Sequence, residues 1–251
     1  MILTEIIGSI GIIKLNRPEK RNSLHPEMIK EFVETIRTFN NDSQVKVIII
    51  TGVENSFCAG ADLGYLQELR SNSVLLNESD SSLLGSFFLS VYESSKPTIA
   101  AVNGPAIAGG CGLATACDFI FADSEKSKFG YSEVKIGFLP AIVSFLLLRR
   151  VSEFKAKQLL LTAEIMNAKK AQEIGLIEYI SDSEKVLQDS IDFAKELCTN
   201  SQFSMSETKK MIRQIYSLRY DDAVKYCLNL NVIGRTSEDF QKGLDKFLNK
   251  K

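Results

Sequence analysis

The chain carries a single histidine among 251 residues, and that scarcity leaves imidazole chemistry one candidate. His25 lies between Leu24 and Pro26, just ahead of a helical pattern, where a capping or surface role is a better reading than a Ser-His-Asp or Cys-His base. Cysteine is hardly more informative. The five thiols (Cys58, Cys111, Cys117, Cys198, Cys227) are odd in number and lack CxxC spacing, which argues against a disulfide framework or a zinc site and for buried free thiols. No metal site is expected. An excess charge of one sign is also missing: 30 Lys plus Arg stand against 31 Asp plus Glu, so no global field would attract nucleic acid or an anionic membrane. An anionic ligand would have to be held locally. The longest apolar runs, Val47 to Ile50 and Ile142 to Leu148, are far too short to span a bilayer, and no basic leader opens the chain. The expectation is a cytoplasmic protein.

What is present is the material for a sizeable core, with 45% hydrophobic and 24% charged residues. Leu3 to Ile7 and Gly11 to Leu15 are short β-branched runs around Gly8 and Ser9, which predicts a hairpin. Pro26 opens a segment in which Met28, Ile29, Phe32, Val33, Ile36 and Phe39 recur at helical spacing, and Val45 to Gly52 is a continuously apolar strand of the kind covered on both faces. This ββα order returns once. Thr98 to Val102 runs into a Gly-rich stretch, an apolar segment and the further strand DFIFAD, so the fold class is α/β with a repeated ββα core rather than a doubly wound sheet. Between the units, Ser71 to Ser82 has weak periodicity and reads as a mobile surface loop. Residues 1–184 are expected to form the core and 185–251 a helical appendage, with Asp189 to Leu197, Ser204 to Tyr216 and Asp221 to Ile233 as its helices.

Five segments carry more than fold. They are LNRPEKRNSL (Leu15 to Leu24), FCAGADL (Phe57 to Leu63), NGPAIAGGCGLATACD (Asn103 to Asp118), FGYSEVKIGFLP (Phe129 to Pro140) and AKKAQEIGLIEYI (Ala168 to Ile180). In this order and spacing they resemble the enoyl-CoA hydratase/isomerase (crotonase) superfamily over nearly the whole chain. The small residues have a chemical reason. A reaction that pushes negative charge onto a thioester carbonyl needs preorganised donors aimed at one point, and backbone amides serve only where bulky side chains do not intervene. FCAGADL follows one buried strand and AGGCG follows another at the start of a helix, so two strand ends deliver two donors. A phosphate cradle is disfavoured, because GxGxxG and GxxxxGK[ST] are both absent.

The resemblance implies that the amides of Ala61 and Gly109 form an oxyanion hole. It also implies that Ala59, Ala61, Asp62, Leu63 and Gly64, with Gly109 and Gly110, line the thioester and pantetheine, and that the Arg17, Lys20, Arg21 cluster lies near the adenosine phosphates. Coenzyme A is then part of the substrate, with no separate cofactor, and the chain would assemble as a homotrimer or hexamer. Typical hydratases of this family carry two glutamates. Here the first position is Gly112, and the second is retained as Glu133. One carboxylate can still move a proton between carbons, or activate water and then protonate the α-carbon. Ala141 to Ser144 replace the usual glycines after Pro140, a pattern that looks most like the methylglutaconyl-CoA hydratase branch and suggests a branched or dicarboxylic acyl group. Three outputs stay open: hydration of a 2-enoyl-CoA, Δ3,Δ2 isomerisation, and a non-catalytic CoA-binding paralogue. Decarboxylation would use the same oxyanion hole.

Overall fold

The computed structural model describes residues 1–249, so the last two positions of the expected helical region lie outside it. Strands β1 (Ile2–Ile7) and β2 (Ile10–Leu15) form the expected hairpin, with Ile7 opposite Ile10 and Gly8 turning the chain at φ +59°. Helix α1 (Pro26–Asn41) starts at His25, whose side chain accepts from the Glu27 amide, and Pro26 fills the first-turn position where a missing N–H costs nothing. Thus the histidine is a cap, as its neighbours suggested. β3 (Val47–Gly52) is buried at all six positions.

Helices α2 (Leu63–Glu68) and α3 (Val74–Tyr92) follow, then β4 (Thr98–Val102), β5 (Pro105–Ile107), α4 (Gly109–Ala116), β6 (Phe119–Asp123) and β7 (Lys128–Gly130). A 3-10 turn at Glu133–Ile136 leads to α5 (Ala141–Leu147), α6 (Glu153–Thr162), β8 (Met166–Asn167), α7 (Ala168–Glu173) and β9 (Tyr179–Ser181). Strands β1-β2-β3-β4-β6-β9 make one sheet, parallel except for the β1/β2 pair, and β5-β7-β8 make a smaller one beside it. Alternation along β3 sorts its side chains. Ile48 and Ile50 join the main core with Phe32 of α1, Phe87 of α3 and Leu113 of α4, while Val47 and Ile49 face the other way.

That second face is closed by α8 (Val186–Cys198), whose Val186, Ile191 and Ala194 pack on Ile10, Ile12, Ile99 and Phe121. The helices that leave the core are therefore α9 (Gln202–Ile215), α10 (Tyr220–Thr236) and α11 (Glu238–Leu248), none of which has a buried residue. α9 is tied down by Lys209, which donates to Asp118 at 2.6 Å, and by Arg213, which donates to the Tyr92 carbonyl at 3.0 Å. Among the described residues no helix is long and apolar enough to cross a membrane.

The segment Ser71 to Ser82 is not a loop. Ser73 accepts from the Leu76 amide and starts α3 at Val74, and the Tyr65 hydroxyl donates to Asp80 at 2.5 Å, which joins α2 to α3. The periodicity is weak because the first two turns of α3 touch no core. Only its second half buries side chains, at Phe87, Phe88 and Val91.

Candidate active site

Two chain crossings meet at the carboxyl ends of β3 and β4. Asn22 is fully buried and stitches the first loop to the exit of β3: its amide nitrogen donates to the carbonyls of Val53 (3.0 Å) and Ser56 (2.7 Å), and its oxygen accepts from the Arg17 amide at 2.9 Å. The Leu24 amide then donates to the Gly60 carbonyl at 2.7 Å, and the Asp62 amide donates to the Leu24 carbonyl at 3.0 Å. This pairing turns the Ala61 N–H to the opposite side. On the other flank, the Cys58 amide donates to the Pro105 carbonyl at 3.1 Å and the Ile107 amide to the Cys58 carbonyl at 3.0 Å. The two crossings are thereby laced together.

Glycine permits the close approach. A Cβ on Gly60 would lie 2.8 Å from the Ile107 oxygen and 3.3 Å from the Gly109 nitrogen, and Gly60 itself sits at φ +86°. Its counterpart across the contact is Ala108, at φ +50° and ψ −120°, a conformation in which an L side chain is strained. Neighbouring bonds hold it there: the Ala108 amide donates to the Gly130 carbonyl at 2.7 Å, and its carbonyl accepts from the Gly112 amide at 3.0 Å. A residue of positive φ thus precedes each expected donor. Neither the Ala61 nor the Gly109 amide has an acceptor among the described residues, and Gly109 is the first residue of α4, where the helix leaves its N–H groups unpaired.

Asp62 fixes the chain just beyond Ala61. One carboxylate oxygen accepts from the amides of Gly64 (2.9 Å) and Tyr65 (3.4 Å), capping α2, and the other accepts from Arg17 at 2.8 Å. Burial alone would raise the Asp62 carboxyl, but the Arg17 guanidinium and the two amides outweigh it and hold the group below the usual carboxylate range. Arg17 also donates to the Ser23 carbonyl at 2.8 Å, so it belongs to the scaffold. Of the basic cluster, Lys20 and Arg21 are exposed, as are Leu63 and Gly64 on the first turn of α2, and the Ala59 amide is used by the Arg21 carbonyl at 3.0 Å. Replacing Arg17 by Ala should destabilise the fold by about 3 kcal/mol, because it strands a mostly buried carboxylate. Urea unfolding of Arg17→Ala beside the wild type measures it.

Glu133 is buried, at 8% exposure, although its neighbours Lys135 and Ile136 are exposed. It opens the 3-10 turn after β7, and its carbonyl accepts from the Phe138 amide at 3.0 Å. Its side-chain Oε2 has no hydrogen-bond partner. Burial raises its carboxyl above the ordinary glutamate range, opposed only by its own backbone amide. A buried, unpaired carboxylate oxygen is rare outside functional sites. A glutamate whose folded pKa is raised binds its proton more tightly folded than unfolded, so its contribution to stability falls as pH rises from the ordinary value through the raised one. Glu133→Gln should flatten that segment of a stability-against-pH curve read by thermal unfolding.

Opposite the missing glutamate there is no open space. A Cβ on Gly112 would fall 2.3 Å from Val143 Cγ1 and 3.2 Å from Phe88 Cε1. Val143 is one of the residues that replace glycines after Pro140, and only that replacement signalled it in the sequence. A cavity of about 820 Å³ lies elsewhere, between Arg149, Arg150 and α9, and touches none of the expected site residues.

The two sheets and the helices that carry these residues make a crotonase-type fold. The family model for enoyl-CoA hydratase/isomerase matches residues 5–251, and the chain belongs to that family. Among its relatives, a Thermus thermophilus chain that bears an enoyl-CoA hydratase name is 37% identical over 97% of this chain and 96% of its own length. The crotonyl-CoA hydratase of Syntrophomonas wolfei is 32% identical over 100% of this chain and 95% of its own. In solved form, an enoyl-CoA hydratase from Polaromonas sp. JS666 superposes with a TM-score of 0.94 at 27% identity, covering 100% of this chain and 97% of that one.

Proposed function

We propose that the chain hydrates and dehydrates a 2-enoyl-CoA thioester through an enolate held by the Ala61 and Gly109 amides, with Glu133 as the only protein group that moves protons. The observation that carries this reading is the pair of unpaired amides at abutting strand ends, together with the buried and unpartnered Oε2 of Glu133. In the forward direction Glu133 takes a proton from water as the water oxygen bonds to C3. The C2=C3 electron pair shifts to form the C1–C2 enolate, with negative charge on the thioester oxygen. Each amide contributes on the order of 3 kcal/mol to that state. The same carboxyl then returns its proton to C2, which restores the carboxylate and regenerates the thioester carbonyl. Coenzyme A enters as part of the substrate.

The replacement of the usual glycines by Ala141 to Ser144 after Pro140 supports a branched or dicarboxylic acyl group. The exposed Leu228, Val232 and Phe247 of α10 and α11 support assembly with further copies of the chain, for which light scattering should read a trimer or hexamer. Turnover is tested by loss of the conjugated thioester's ultraviolet absorbance on adding protein to crotonyl-CoA. No loss with any 2-enoyl-CoA would contradict the proposal. The second reading, Δ3,Δ2 isomerisation, is favoured by the same single carboxylate, and it predicts gain of that absorbance from a 3-enoyl-CoA.

A further inference from the structure

We infer that Tyr131 is a positioning residue of this site: its buried hydroxyl ties the turn that carries Glu133 to the helix that begins with the Gly109 amide. The inference rests on the hydration reading above and deepens it. In that reading Glu133 moves a proton to and from atoms whose place is set by the donor amides, so its setting against α4 matters as much as its presence. Little at the carboxylate fixes that setting: Oε2 has no partner, and the group that favours the charged form is the residue's own amide. The backbone bonds of the turn close on the turn itself, with Lys135 donating to Ser132 at 3.1 Å, Gly137 to Val134 at 3.2 Å and Phe138 to Glu133 at 3.0 Å.

Tyr131, just ahead of Glu133 in the chain, supplies the tie. Its side chain is fully buried, and its hydroxyl donates to Thr115 Oγ1 at 3.3 Å. Among the described residues this is the one side-chain hydrogen bond that leaves the segment 131–139. Thr115 passes the connection back along α4. Its Oγ1 donates to the carbonyls of Cys111 (3.0 Å) and Gly112 (2.9 Å), and the Gly112 amide donates to the carbonyl of Ala108, the strained residue ahead of Gly109. A second tie links the same two segments, from the Ala108 amide to the Gly130 carbonyl at 2.7 Å. Ala108 and Thr115 are about 10 Å apart along the helix. One tie would leave α4 free to pivot against the Glu133 turn, whereas two ties that far apart fix both distance and angle. Burial pushes the Tyr131 hydroxyl well above its ordinary value, so it stays a donor. The Glu133 charge is felt on the same helix: burial pushes the Cys111 thiol up to about 12, and Glu133 acts in the same direction.

The test measures crotonyl-CoA hydration by the full-length protein in the wild type, Tyr131→Phe, Thr115→Val and the double variant, well below their unfolding temperatures. Tyr131→Phe keeps the ring and its packing and removes only the hydroxyl. It should lower kcat about tenfold and leave KM within about twofold of the wild type. Thr115→Val should do the same, and the double variant should fall less than about twofold below either single, because each change breaks the same bond. In a Glu133→Gln background, Tyr131→Phe should cost less than about twofold, since the group it positions is gone. A Tyr131→Phe kcat within about twofold of the wild type, with only Tm lowered, would show a structural role alone and overturn the inference. A loss that falls on KM, losses that multiply in the double variant, or the full loss persisting without the Glu133 carboxylate would also overturn it. A wild type that hydrates no 2-enoyl-CoA would defeat the hydration reading and the inference together.

Discussion

Glu133→Gln is expected to lower kcat for 2-enoyl-CoA hydration roughly 10³-fold while leaving KM within about threefold of the wild type. The size follows from the absence of a substitute. Position 112, where the family resemblance implies a second glutamate, is a glycine packed against Val143, so no second carboxylate stands there to take the water proton. The amide nitrogen of Gln preserves size but cannot accept and return a proton at neutral pH. Substrate binding should survive, since the two backbone donors and the acyl contacts do not involve this side chain. The pH dependence gives a second readout. Because burial raises the Glu133 carboxyl above its ordinary range, the wild-type kcat/KM should climb with pH through that raised value and then level off, as a base must be ionised to act. Residual activity in Glu133→Gln should lack that limb. A variant that kept both the rate and the limb would show that Glu133 is not the base.

Gly110→Ala should be strongly disruptive to both fold and activity. A Cβ there would lie 2.0 Å from the Cys58 carbonyl oxygen and 2.7 Å from its carbon, and both are backbone atoms that already accept or frame the Ile107 bond. A side-chain neighbour could rotate away. Backbone cannot, so the two crossings must separate by the better part of an ångström. Overpacking of this kind should cost about 3 kcal/mol of stability in urea unfolding. Because Gly110 adjoins Gly109 and Cys58 adjoins the Ala59 to Ala61 turn, the same displacement pulls the two amides out of register, and a further drop of about 10²-fold in kcat/KM is expected from the folded fraction. Gly243→Ala on α11, where a Cβ would meet nothing within 4 Å, is the control. It should leave activity unchanged and stabilise the helix by up to about 1 kcal/mol.

The architecture was readable where burial is uniform or strictly periodic. The unbroken run of β3 announces a strand covered on both faces, and the spacing of Met28, Ile29, Phe32, Ile36 and Phe39 announces α1. Legibility fails where an element is only half in contact. The first turns of α3 are solvated, so Ser71 to Ser82 carries no periodic signal although a serine cap stands at Ser73. The short strands β5, β7 and β8 run to three residues or fewer each, too short for alternation to register. At the site, Glu133, Ala61 and Gly109 were named from motif order, and the structure adds why the chain can present them. Two features were beyond sequence. The positive φ of Ala108 belongs to a residue type that does not favour it, so only the surrounding bonds reveal it. The filling of position 112 by Val143 is a contact between residues 31 apart in the chain, and a glycine alone does not say whether its space is empty or occupied.

The central claim is that this site adds water across a conjugated thioester. Running the reaction on crotonyl-CoA in ¹⁸O-labelled water, with mass spectrometry of the product, tests it most directly. The account predicts a 3-hydroxyacyl-CoA carrying one labelled oxygen, formed by the wild type and roughly 10³-fold more slowly by Glu133→Gln. A protein that incorporates no label from any 2-enoyl-CoA yet moves the double bond of a 3-enoyl-CoA would contradict it.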